Sequence, residues 1–199
     1  MTEVVVATRN KGKLREFETL LTATGWTVLG LADAGISVDP EETGATFSEN
    51  ARQKAVAYSR ETALPVLADD SGLEVFALGG RPGIHSARYA GNGAGDSERI
   101  EKLLAELRRD AGVRDARFVC ALALARGGRL IVEAEGECRG VITDAPRGTQ
   151  GFGYDPVFLF PELGRTYAEL SAQEKNRVSH RARAVAALLQ RLAGGIELG

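Results

Sequence analysis

A chain of 199 residues, 44% hydrophobic and 26% charged, has the composition of a globular protein with one sizeable core and at most two lobes. Its net charge of -2 excludes the basic footprint of a duplex nucleic-acid binder, or of a protein held electrostatically to an anionic membrane. With no signal-like leader, no 18-residue apolar run and no lipidation motif, a reducing, cytoplasmic compartment is expected. Cys120 and Cys138, with His85 and His180, have no zinc-ligand spacing.

The opening Glu3–Ala7, with three consecutive valines, reads as a buried strand that breaks at Thr8-Arg9-Asn10-Lys11-Gly12-Lys13. A helix follows, with Leu14, Phe17, Leu20 and Leu21 on one face and Gly25 as its stop. Lys11 and Lys13 stand at its start, where the helix dipole disfavours cations. An anion held by Thr8, Asn10, Lys13 and the helix N-terminus would compensate; a solvated lysine pair is the plainer alternative. The stretch lacks the GxxxxGK[ST] spacing, so no P-loop is implied.

A strand with flanking loops is expected over Trp26–Val38. The capping box Thr46-x-x-Glu49 then predicts a helix from Phe47 to about Thr62, with Lys54 two turns in beside small Ala51 and Ala55. Glu41 and Glu42 precede that cap and read either as dipole complements or as metal ligands. Next, Pro65–Ala68 reads as a buried strand ending at Asp69-Asp70-Ser71-Gly72. Acids at a strand's carboxyl end lie where open α/β sheets hold ligands, and two adjacent buried carboxylates require a cation. Ordinary turn chemistry is the alternative.

Asp96-Ser97 opens a helix with Ile100, Leu103, Leu104 and Leu107 inward, read as structural. Arg117–Leu124 is a strand turned back at Gly127-Gly128 into Leu130–Glu135, and Cys138–Thr143 reads as a third antiparallel strand. In Pro146–Pro161, glycines 148, 151 and 153 leave Phe152 and Tyr154 on a permissive loop beside Asp155. Such a loop suits a flat heterocycle, whose ring stacks while the acid bonds its edge; the two aromatics read equally well as core anchors for Val157–Phe160. A second capping box, Ser171-x-x-Glu174, opens one long helix with Lys175 in its first turn. His180-Arg181 falls mid-helix and reads as surface charge. The closing glycine-rich tail reads as a fraying end.

Taken together, acids at 41, 42, 69 and 70, lysines at 13, 54 and 175, and an aromatic loop point to a nucleotide carrying a Mg²⁺-bound polyphosphate. Five blocks carry a specific likeness: ATRNKGKLREF (7–17), EETGATFSENARQKA (41–55), LADDSGLEVFALGGRPGIHSARYAG (67–91), GFGYDPVF (151–158) and EKNRVSHRARA (174–184). In these the chain resembles, over essentially its whole length, the inosine/xanthosine triphosphate pyrophosphatases. That family hydrolyses ITP, dITP and XTP to the monophosphate and pyrophosphate.

The resemblance implies a mixed α/β fold, residues 1–199 forming a single domain of two lobes around a central cleft, and a homodimer. It implies a small-molecule nucleoside triphosphate as substrate, Mg²⁺ as cofactor and neither nucleic acid nor membrane as partner. Asp70 matches the general base, with Ser71 contacting substrate. Thr8, Arg9, Asn10, Lys11, Gly12 and Lys13 match the phosphate-binding turn, and Lys54 and Lys175 further phosphate contacts. Phe152, Gly153, Tyr154 and Asp155 match the base-binding loop, and His180 with Arg181 the pair near the base edge. Glu41, with Asp70, matches the metal ligands; Glu42 is a second candidate, and Asp69 a support for Asp70 or the metal. A pyrophosphatase for other modified nucleotides, or a non-catalytic nucleotide sensor, is the alternative.

Overall fold

The computed structural model describes residues 2–109 and 113–194. In chain order the elements are β1 (Thr2–Ala7), α1 (Lys11–Thr22), β2 (Trp26–Gly30), α2 (Phe47–Tyr58), β3 (Val66–Val75) and α3 (Asp96–Arg109). Then follow β4 (Asp115–Arg126), β5 (Arg129–Ile142), β6 (Phe158–Phe160), β7 (Arg165–Thr166), α4 (Ala172–Val178) and α5 (His180–Ala193). The fold is mixed α/β, with strands in the order β2-β1-β3-β4-β5-β6-β7. β1 runs parallel to β2 and β3, whereas β5–β6 and β6–β7 are antiparallel.

The chain divides into two compact units. The first comprises Met1–Asp70, Cys120–Gly136 and His180–Gly199; the second comprises Ser71–Val119 and Glu137–Ser179. The first unit buries the apolar face of α1, Phe17 and Leu21, with Val4, Val6 and Leu67 of the parallel strands and Val185 and Leu188 of α5. The second collects Leu73, Ile100, Leu103, Phe118, Phe158 and Tyr167 in its own core, so α3 is structural as its periodicity implies. Phe118 and Tyr167 stack at 5.8 Å between ring centroids, with Phe158 tilted against both. Among the described residues, no helix is long and apolar enough to cross a membrane.

Several boundaries differ from expectation, each for a physical reason. The strand of Pro65–Ala68 does not end at the acids: β3 runs on through Asp69, Asp70, Ser71 and Gly72 to Val75. What ends there is β1, whose ladder with β3 closes at the Ala7–Ala68 pair. The acids therefore continue an extended strand past the carboxyl end of its neighbour, with lysines supplying the counter-charge.

The Trp26–Val38 strand shrinks to Trp26–Gly30, and the second helix stops at Tyr58, where the N–H of Ser59 closes the last turn on Ala55. Leu130–Glu135 and Cys138–Thr143 merge into the single strand β5, because Gly136 continues it. A Cβ at Gly136 would meet the backbone of α5, 2.2 Å from the Ala184 nitrogen. The expected long final helix is two helices, broken at Ser179, whose ψ of 156° is extended rather than helical. Its tail beyond residue 194 lies outside the described residues.

Candidate active site

The first unit builds a charged group from four elements. Asn10 caps α1 by accepting from the N–H groups of Gly12 (2.8 Å) and Lys13 (3.1 Å), and Thr8 Oγ1 accepts from Asn10 N. The dipole conflict at Lys13 is resolved from within the chain, since its Nζ lies 2.8 Å from Asp69 Oδ2. Lys11 is exposed, and Arg9 donates to the carbonyls of Ser37 and Val38 and pairs with Asp39.

From α2, Lys54 reaches Glu42 Oε1 at 2.7 Å and Asp70 Oδ1 at 3.7 Å. One turn earlier Asn50, 1% exposed, donates from Nδ2 to Asp70 Oδ2 at 3.0 Å and accepts from Gly44 N at 2.8 Å. Its two-sided use holds the acidic loop to the β3 carboxylate. Both loop acids are exposed, and Glu42 is the one that pairs with Lys54. The Thr46 cap forms as its box requires, but the returning arm of Glu49 bonds Ala45 N.

His180-Arg181 is not a mid-helix surface pair. The break at Ser179 puts both at the start of α5, where they are 3% and 2% exposed. Arg181 pairs with Glu16 of α1, and its guanidinium stands 5.7 Å from the centre of the Phe17 ring. Burial pulls the Arg181 guanidinium down, but Glu16 and Asp69 outweigh it and hold it protonated.

The adjacent acids are tuned in opposite directions. Burial pushes Asp69 up, yet Lys13, Arg181 and Lys54 more than reverse it and bring its carboxyl down to about 2. For Asp70 burial wins: Lys54, Lys13 and the Asn50 bond favour its ionised form, but its pKa remains above the usual value. Burial alone would lower Lys54, but Asp69, Asp70 and Glu42 keep it charged. Neighbouring carboxyls with separated titrations characterise sites that hold one charge fixed while moving a proton at the other.

The second unit carries the loop residues. Asp155 is 2% exposed; its Oδ2 accepts from Phe152 N at 2.9 Å and from Lys175 Nζ at 2.5 Å. Lys175 lies over the Phe152 and Tyr167 rings, 4.9 and 5.4 Å from their centres. Lys13 and Lys54 therefore share the acids of β3, whereas Lys175 shares Asp155 and the Phe152–Asp155 loop. Gly153 N donates to Asp96 Oδ2 at 2.6 Å, and Tyr154 donates from its hydroxyl to the Ser86 carbonyl at 2.9 Å. Tyr154 is buried in the core of this unit, and Phe152 is half-buried. Ser71, half-buried on β3, belongs to this unit.

Asn50 and Glu16 are the residues that sequence reading missed. A poor helix former four positions before Lys54 was a usable signal for Asn50. Glu16 has none, since a charged residue next to an apolar helix face is ordinary.

The described residues hold no group of three or more His, Cys, Asp or Glu able to cage a metal. Mg²⁺ normally takes one or two carboxylates, several waters and the substrate phosphates. The hard oxygens of Asp70 and the 41–42 loop, their charge balanced by Lys54 in this structure, suit that kind of ion.

The acid–lysine group is that of a phosphate-handling α/β protein, and comparison with known proteins defines it further. Residues 4–191 match the Ham1 family. The dITP/XTP pyrophosphatase of Geobacillus kaustophilus is 55% identical over 192 residues, spanning 94% of this chain and 93% of that protein. A HAM1 protein from Coxiella burnetii superposes with a TM-score of 0.87 at 42% identity, covering 98% of this chain and all of the other. The Ham1 protein of Staphylococcus aureus gives 0.84 at 42% identity, with 97% and 99% covered. The chain belongs to the Ham1 family.

Proposed function

We propose that this protein is a nucleoside-triphosphate pyrophosphohydrolase that converts the non-standard purine nucleotides ITP, dITP and XTP to monophosphate and pyrophosphate. The observation that carries the reading is the group in the first unit, where Lys13 and Lys54 hold Asp69 and Asp70 beside the Glu42 loop. Lysines paired with a surplus of carboxylates suit a triphosphate arriving with its own cation. The relatives are named for dITP and XTP, two of these substrates.

Asp70 takes the proton of an attacking water. Burial raises its pKa above the usual carboxylate value, which strengthens it as a base. The water oxygen bonds the α-phosphorus as the bridging bond to the β-phosphate breaks, and pyrophosphate departs. Lys13 and Lys54 take up the negative charge that gathers on the departing group. Asp69, ionised throughout the physiological range, keeps Lys13 oriented. Mg²⁺, held by Asp70 and Glu41 with Glu42 adjacent, would supply further neutralisation of the triphosphate when bound.

Discrimination rests on position six of the purine. A keto oxygen there accepts from a donor of the His180–Arg181 pair, whereas the amino group of adenine would face that donor and leave it unpaired. The Phe152–Asp155 loop takes the base. The enzyme acts as a cytoplasmic homodimer on free nucleotides, and the net charge of -2 agrees with the lack of a nucleic-acid partner.

A panel of ITP, dITP, XTP, GTP and ATP with Mg²⁺ and pyrophosphate detection tests the reading. ITP and XTP should turn over up to ~10⁴-fold more efficiently than ATP. Equal turnover of ATP and ITP would overturn the specificity, and no pyrophosphate from any of them would overturn the activity.

A further inference from the structure

Asn50 is buried in the first turn of α2, where its amide has low helix propensity and nothing to gain from solvent. Its orientation is fixed by its two partners. Oδ1 accepts from the backbone N–H of Gly44, so Nδ2 is the atom that faces Asp70 and donates to Oδ2. Gly44 is itself fitted to this contact, since a Cβ there would stand 2.7 Å from Asn50 Oδ1 and 2.7 Å from the Glu49 Cβ. Lys54, four residues on and therefore on the same helix face, approaches the other oxygen of the same carboxylate, Oδ1, at 3.7 Å. One helix face thus addresses both oxygens of Asp70, a neutral donor on one and a cation on the other.

Resting on the pyrophosphohydrolase reading above, we propose that Asn50 is a positioning residue for that reaction. It fixes the rotation of the Asp70 carboxylate by binding Oδ2, and it ties the Glu41–Gly44 loop to that carboxylate through Gly44 N. A carboxylate on a strand has one free torsion at its end, and a base must meet its water within hydrogen-bond reach and at a productive angle. A single amide that locks this torsion and anchors the acidic loop makes the two acidic segments move together.

The test is a double-mutant cycle on the full chain, read as kcat and KM for ITP with Mg²⁺ by pyrophosphate release. Thermal unfolding of each variant runs alongside it. Asn50→Ala should lower kcat by roughly 10- to 100-fold, the worth of one hydrogen bond to a charged group, with KM changed far less. Asn50→Asp keeps an acceptor for Gly44 N but offers no donor to Asp70, so it should lose kcat at least as severely while remaining folded. In an Asp70→Asn background, Asn50→Ala should cost little further kcat, because the group it positions has already lost its proton-accepting role.

The inference is overturned if Asn50→Asp retains wild-type kcat, which would reduce Asn50 to a loop anchor. It is equally overturned if the losses from Asn50→Ala and Asp70→Asn multiply. Failure of the underlying reading looks different: the wild type would release no pyrophosphate, or Asp70→Asn would retain full turnover.

Discussion

Each unit buries a lysine against an aspartate, and the two pairs serve different ends. In the first, Lys54 stands between Glu42 and Asp70 while Lys13 and Arg181 flank Asp69, and the neighbouring acids titrate in opposite directions. In the second, one oxygen of Asp155 takes both Lys175 and the N–H of Phe152, and the lysine is covered by two aromatic rings. The first arrangement tunes charge at a carboxylate, whereas the second spends its charge on the shape of a loop. An aspartate–lysine pair is therefore not a functional signature by itself; what else each oxygen touches decides its use.

The sharpest way to break this comparison is to neutralise each aspartate. Asp70→Asn should reduce kcat by ~10²–10⁴ while substrate binding persists, the usual worth of a general base. Asp155→Asn should instead keep the proton-transfer step and weaken the preference for ITP over ATP. Single-turnover rates with both nucleotides separate the outcomes. Similar kcat losses, with selectivity intact in both variants, would erase the distinction.

The lysines give the second contrast. Lys175→Met leaves the buried Asp155 carboxylate without its ion-pair partner and should destabilise the protein by about 3 kcal/mol, as breaking a buried pair does. The loss is measured by denaturant unfolding, and Asp155→Asn in the same chain should restore part of it. Lys54→Met should appear chiefly in kcat/KM for the triphosphate, because the carboxylates it faces also have Asn50 and Lys13 nearby.

Much of this was legible beforehand, and the failures have a common cause. The heptad-like apolar spacing of α1 and α3, the caps at Thr46 and Ser171, and the valine run of β1 are local signals, and each element formed where its own residues called for it. The acids of β3 were visible as functional, but their strand was not expected to continue. The Asp-Asp-Ser-Gly run continues in a strand that has β4 as its other neighbour, and the counter-charge comes from Lys13 and Lys54, 56 and 16 residues away from their acids in sequence. Burial of His180 and Arg181 was hidden for the same reason. Their surroundings depend on the break at Ser179 and on Glu16, neither of which local periodicity reveals.

A smaller effect concerns pH. The folded pKa of Asp69 lies near 2, below its unfolded value near 3.8, so the folded state favours the ionised form. Its contribution, about 2 kcal/mol, is fully present above the unfolded pKa and is lost as pH falls from about 4 to 2. Stability curves across that window should lose this increment in the wild type. Asp69→Asn removes the titrating group and should flatten that part of the curve. An unchanged slope would mean that Lys13 and Arg181 do not hold this carboxylate.

The smallest effect separates two glycines of the loop around Phe152. Gly151 has φ of +76° and Gly153 φ of +63°, so alanine at either pays for a left-handed backbone, about 1–2 kcal/mol. Only at Gly151 would the new Cβ also strike a side chain, 2.0 Å from Asp155 Oδ2, whereas nothing stands within 4 Å at Gly153. Gly153→Ala should therefore lower the melting temperature slightly and leave nucleotide preference intact. Gly151→Ala should lower it further and also weaken the nucleotide preference, because the displaced carboxylate is the one that holds Phe152 N and Lys175. Equal behaviour of the two variants, in melting and in the ITP-to-ATP ratio, would show that Asp155 does not shape the loop.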